Sequence, residues 1–120
     1  MTSRSAQHGA LARGAFAVAV LVSLAVLFTP PSGVPSSPPG VDKVVHLSLF
    51  LALTLTARWA GVRRQVALVS LLVYAAVSEV VQGTDLVRRD AEPLDLVADT
   101  VGVLLGLALW AATTRRRATG

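Results

Sequence analysis

Four stretches of this chain are almost wholly apolar, at 14–29, 44–60, 65–82 and 96–112, and short polar segments separate them. Each approaches the roughly 20 apolar residues, with a range of about 17–25, that a helix needs to cross a bilayer. A helix on the surface of a soluble protein shows a charged stripe along its length. None of the four stretches has one; the second and third carry His46 and Glu79 near one end. The pattern predicts an all-α integral membrane four-helix bundle over 14–112, with a basic tail at 1–13 and an Arg-rich tail at 113–120.

The segments between the stretches sharpen this picture. Pro30 and Pro31 lack N–H donors and stop the first helix. Five of the six prolines fall in the loop at 30–41, which reads as a stiff extended connector. Gly61, Val62, Arg63 and Arg64 make a tight hairpin that sets the second and third helices antiparallel. Pro93 suits the first turn of the fourth helix, where its missing N–H costs nothing.

Charge is sorted along the same lines. Asp42 precedes the second stretch, Glu79 closes the third, and Asp85, Asp90, Glu92, Asp95 and Asp99 cluster around the start of the fourth. Arg4, Arg13, Arg58, Arg63, Arg64 and the run Arg115, Arg116, Arg117 lie at the opposite ends of the helices. Eight of the eleven basic residues therefore share one face, and only Lys43, Arg88 and Arg89 share the acidic one. Lys and Arg in short loops mark the cytoplasmic side, so both termini are expected inside the cell and the acidic loops outside. Trp59 and Trp110 then fall near the cytoplasmic interface, where indole rings anchor helices. The three terminal arginines read as a topology determinant with affinity for anionic lipid.

Composition fits a membrane protein. The chain is 53% hydrophobic and 15% charged, against about a quarter charged in soluble domains. The net charge of +4 is explained by the cytoplasmic loops, so no nucleic-acid partner is expected. With no cysteine, disulfides, thiolate nucleophiles and zinc–cysteine sites are excluded. Arg4 and Arg13 ahead of an apolar run also suit a signal peptide, but no small-residue cleavage site follows Phe28. A retained helix is the expectation.

Helical spacing groups the polar residues of the acidic face. Asp42 and His46 are four apart, Glu79 and Gln82 three apart, and Asp95 and Asp99 four apart, so each pair shares a helix face. Below Asp99 the same face carries Gly102 and Gly106, a small-residue pair that lets another helix approach. Such a pair serves an internal contact or a homo-oligomer equally. Asp42 and Asp95 also suit a plain capping role at helix starts. His46, Glu79 and Asp99 lie about a turn inside, where ionisable groups are costly and mark function by default. A structural hydrogen-bond network between helices is the competing reading.

These residues resemble the VanZ-like family of small bacterial multi-pass membrane proteins. The likeness rests on Asp42, Lys43, Val44, Val45, His46 and Phe50, then on Ser78, Glu79, Val80, Val81 and Gln82. It continues with Arg89, Asp95 six residues on, Asp99, Thr100, Val101, Gly102 and Gly106, and so covers a little over half of the chain. The family often has Asn where this chain has Asp99. The resemblance implies a role in the cell envelope, linked to resistance to glycopeptide antibiotics of the teicoplanin type, and supplies no reaction.

Three functions are open at this level. The first is binding of a lipid or lipid-linked headgroup by Asp42, Lys43, His46, Glu79, Gln82, Arg89, Asp95 and Asp99, with no cofactor and no metal. Seven acids against three bases on that face work against an anion. The second is a small intramembrane enzyme with His46 as general acid or base and Glu79 or Asp99 as its partner. A His–Asp–Glu set would suit a divalent metal equally, and Ser78 is the best nucleophile, inside an apolar helix. A dimeric transporter is third, since transport favours ionisable groups near the midplane.

Overall fold

The computed structural model describes residues 2–28, 40–83 and 93–119, with side chains over 9–28, 40–83 and 93–115. The described chain is helical: α1 (Thr2–Phe28), α2 (Val41–Trp59), α3 (Arg64–Gln82) and α4 (Pro93–Thr119). The proline-rich connector and the loop holding Asp85, Arg88, Arg89, Asp90 and Glu92 fall outside the described residues.

Two helices outrun their apolar stretches. α1 begins at Thr2 and α4 runs to Thr119, because Ala, Gln and Arg on their flanks are good helix formers and no Gly–Pro signal intervenes. Pro93 is the first residue of α4, as its missing donor allows. Gly40 rather than Asp42 occupies the N-cap of α2, at φ 89°.

Three helices are long and apolar enough to cross a membrane: Gly9–Phe28, Arg64–Gln82 and Pro93–Arg115. α2 differs from the expectation of a fourth equivalent span. Its 19 residues place Asp42 and Lys43 in the first turn and Arg58 in the last. The uncharged-by-Asp-or-Arg segment between them is about 21 Å long at 1.5 Å per residue.

The hairpin between α2 and α3 is built by Gly61. At φ 93° it holds the left-handed conformation, and the Gly61 and Val62 N–H groups donate to the Arg58 and Ala57 carbonyls at 3.1 and 3.0 Å. This is a Schellman closure, which satisfies the last free carbonyls of α2. The Arg58 guanidinium donates to the Val62 carbonyl at 2.7 Å and ties the turn down. Gly61→Ala is expected to cost about 1–2 kcal/mol, the penalty of a Cβ in that conformation, read as a lower thermal midpoint with helical content intact.

Pairings along the helices fix their directions. Ser23 contacts Tyr74 and Gln82 contacts Leu27, so α1 and α3 run parallel. Lys43 contacts Asp95 and His46 contacts Asp99, so α2 and α4 run parallel too. The order is up, down, up, down, and the ends of α1 and α3 share one end of the molecule with the starts of α2 and α4. α2 and α3 each touch all three other helices, and the α2–α4 seam is the most extensive, whereas α1 and α4 form no pairing among the described residues.

The packing is inverted relative to a water-soluble protein. Leu27, Phe50, Leu53, Leu71, Ala75 and Val103 form a small core, with the Phe50 and Tyr74 rings 5.7 Å apart. Beside it are buried Ser23, His46, Thr54, Ser78, Glu79, Gln82, Asp95 and Asp99. Leu21, Val69, Val73, Val77, Val80, Val97 and Leu104 point outward instead. Ser23 donates to the Val20 carbonyl at 2.7 Å, so its contact with Tyr74 at 2.8 Å has the phenol as donor. The Gln82 amide donates at 2.9 Å to the carbonyl of Leu27, one of the free carbonyls at the end of α1.

Candidate functional site

The approach of α4 to α2 comes first, because it creates the site. A Cβ on Gly102 would collide with the Leu47 carbonyl oxygen and lie 3.2 Å from the Leu51 nitrogen. One on Gly106 would sit 2.6 Å from the Thr54 Cβ. The glycine face of α4 therefore lies directly on the α2 backbone, and the small-residue pair is used within the chain. Thr54 fits because its hydroxyl turns back to the Phe50 carbonyl at 2.7 Å.

One turn further along, this close contact brings two ionisable faces together. The His46 Nδ1 and Asp99 Oδ1 are 2.7 Å apart, with the two residues 2% and 0% exposed. The carboxylate accepts, so Nδ1 carries the proton. The Lys43 ammonium lies 2.8 Å from Asp95 Oδ1 and 3.6 Å from Asp42 Oδ2. The His46 Nε2 faces Asp42 Oδ1 and Asp95 Oδ2, each 3.8 Å away. Asp95 is 4% exposed, while the side chains of Asp42 and Lys43 are about a third open. The cluster is thus a pocket of charge with Asp99 at its floor and Asp42 and Lys43 at its mouth.

The expected residues separate into three groups. Asp42, Lys43, His46, Asp95 and Asp99 meet at the α2–α4 seam. Glu79 and Gln82 are buried at the same end of the molecule, on α3, where Gln82 bonds α1. Arg89 lies outside the described residues. Ser78 is fully buried and its hydroxyl donates to the Ala75 carbonyl at 2.8 Å, which leaves it badly placed as a nucleophile. The Ser23–Tyr74 bond and the Lys43–Asp95 pair were not anticipated. A signal existed for the first, since both are polar residues inside apolar runs; pairing across some fifty residues has no local signature.

Chemically, the cluster presents one imidazole oriented from behind by a carboxylate, two further carboxylates and one ammonium. An imidazole held at Nδ1 offers Nε2 as a proton acceptor or a ligand atom. The fold and the cluster define the class: an all-helical protein with three membrane-competent helices and a buried acid–histidine centre at one end. Compared with family models, curated proteins and solved structures, the chain gives no match.

Proposed function

We propose that the chain is a bacterial cytoplasmic-membrane protein of VanZ-like type, a four-helix bundle with both termini in the cytoplasm. In this reading its acid–histidine centre opens at the outer leaflet and engages the polar headgroup of an envelope lipid or lipid-linked precursor. The supporting observation is the coincidence of an apolar outward surface with a charged cluster buried at one end only. In water such a surface would be a large sticky patch; in lipid it is the solvent-facing side. α2 crosses with the others because it packs between α1, α3 and α4 at the same depth. Its charged ends are held by Asp95 at one end and by the hairpin at the other. A link to teicoplanin-type resistance follows from the resemblance at 42–106.

The test is the lipid that travels with the protein. Wild type purified in mild detergent is expected to carry one headgroup class enriched over the source membrane, and Lys43→Ala to lose that enrichment at equal yield. Identical lipid content in both would sink the proposal.

A second reading has one specific observation in its favour, the 2.7 Å His46–Asp99 contact, which is the orientation a general acid–base histidine needs. Comparing lipid-linked precursors in cells lacking the protein, with wild type and with His46→Ala at matched levels would separate the two. A species that appears or vanishes only with the wild type means turnover; equal profiles mean binding. Transport is disfavoured, since the ionisable groups gather at one end and not at mid-depth.

A further inference from the structure

The mouth of the cluster holds three acceptor atoms that face one another across a gap. His46 donates from Nδ1 to Asp99, so in its neutral form Nε2 is a lone pair. That lone pair points at Asp42 Oδ1 and Asp95 Oδ2, 3.8 Å away in each case and beyond hydrogen-bond distance. His46 is only 2% exposed, and among the described residues its ring has no hydrogen bond other than the one at Nδ1. With His46 neutral, three mutually facing acceptors repel unless a proton or a metal cation sits among them, and their ligand atoms are spaced for either.

We propose that Asp42, His46 and Asp95 form a binding site for one divalent cation of the Mn²⁺ or Zn²⁺ class. Their ligand atoms all lie within 4.8 Å of one another. Bonds of about 2.0–2.2 Å require donor atoms roughly 3–4 Å apart, which a small rotation of the half-open Asp42 supplies. One imidazole with two carboxylates selects Mn²⁺ or Zn²⁺ over Ca²⁺, which takes oxygen alone. Three protein ligands leave further positions open to water or a ligand, the pattern of reactive sites and not of closed structural ones.

The surroundings supply what such a site needs. Asp99 behind Nδ1 sets the ring orientation and tautomer, the carboxylate–histidine–metal arrangement. Lys43 holds Asp95 through Oδ1 and leaves Oδ2 directed inward. Among the described residues of the cluster, with His46 neutral, Asp42, Asp95 and Asp99 against Lys43 leave two negative charges, the number one divalent cation removes. The open side chain of Asp42 provides an entry path. A bound cation would also turn an anion-repelling face into an anion acceptor; that consequence rests on the headgroup reading, whereas the metal site does not.

The experiment is Mn²⁺ titration of the full-length protein in detergent after chelator treatment, followed by the loss of the free-ion paramagnetic signal. Wild type is expected to take up one Mn²⁺ saturably and release it to Zn²⁺. Asp42→Asn, at the exposed edge of the cluster, should bind at least about tenfold more weakly while melting like metal-free wild type. Asp99→Leu should lose about 10–100-fold through the misplaced ring. No saturable uptake by wild type, or equal affinity in Asp42→Asn, would overturn the site. Uptake of Mn²⁺ without preference for vesicles containing a phosphomonoester lipid over phosphatidylcholine alone would support the metal site and overturn the headgroup reading.

Discussion

Asp99→Leu is expected to lower the stability of the packed helices by about 3 kcal/mol, the upper range for stranding a buried hydrogen-bonding group. Leucine has nearly the shape of aspartate, so the change removes the acceptor and leaves the packing volume in place. The His46 Nδ1–H, donating to Asp99 Oδ1 at 2.7 Å, then has no acceptor in a site closed to water. Asp99→Asn keeps a carbonyl oxygen at the same position and should lose well under half as much. Removing both partners is the sharper control. His46→Phe with Asp99→Leu should recover most of the loss, because an apolar pair strands nothing. Thermal melting in detergent, followed as the loss of monodisperse protein, gives all three values. Wild-type melting of Asp99→Leu would show that the pair contributes nothing to the fold.

The second large effect is expected at Gly102. Its Cβ position is occupied by the Leu47 carbonyl oxygen, part of a helical backbone that cannot yield as a side-chain tip would. Gly102→Val must therefore push α4 off α2, at the 1–3 kcal/mol or somewhat more that overpacking costs. In the membrane setting proposed above, helices hold together by close packing and interhelical hydrogen bonds, not by exclusion of water, so the displaced seam would have little to replace it. The injury should also travel to the cluster, since His46–Asp99 and Lys43–Asp95 both span that seam. Metal uptake should fall together with melting temperature. Gly14 is the control: it is helical too, but nothing lies within 4 Å of its Cβ position. Gly14→Ala should be neutral or raise stability by up to about 1 kcal/mol through helix propensity. Equal melting of the Gly102 and Gly14 variants would mean that the two helices do not meet as closely as the structure places them.

The two glycines also show how far local pattern reaches. The spacing of Gly102 and Gly106 announced a close helix contact without naming the partner, and a second copy of the chain was as good a candidate as an internal helix. The answer depended on the rotation of α2 about its own axis, which brings Leu47, Leu51 and Thr54 to face α4. His46 and Asp99 were similarly legible as costly groups a turn inside their helices. Their 2.7 Å contact was not, because the two residues are 53 positions apart with the whole of α3 between them.

By itself the sequence determined the four described helices and their ends, except how far α1 and α4 run past their apolar stretches, together with the hairpin at Gly61 and the gathering of acidic groups toward one end. These depend on local quantities: the length of an apolar run, the missing donor of proline, the left-handed freedom of one glycine, the spacing of 3.6 residues per turn. Tertiary structure alone decided that α2 packs most extensively on α4 and that α4 presses its glycines against it. It also decided that Gln82 closes α1 and that Asp42, His46 and Asp95 face a common gap with Asp99 behind them. Those outcomes come from side-by-side packing of residues far apart in the chain, where steric fit between two helix surfaces sets rotation and depth. No window of neighbouring residues contains that fit.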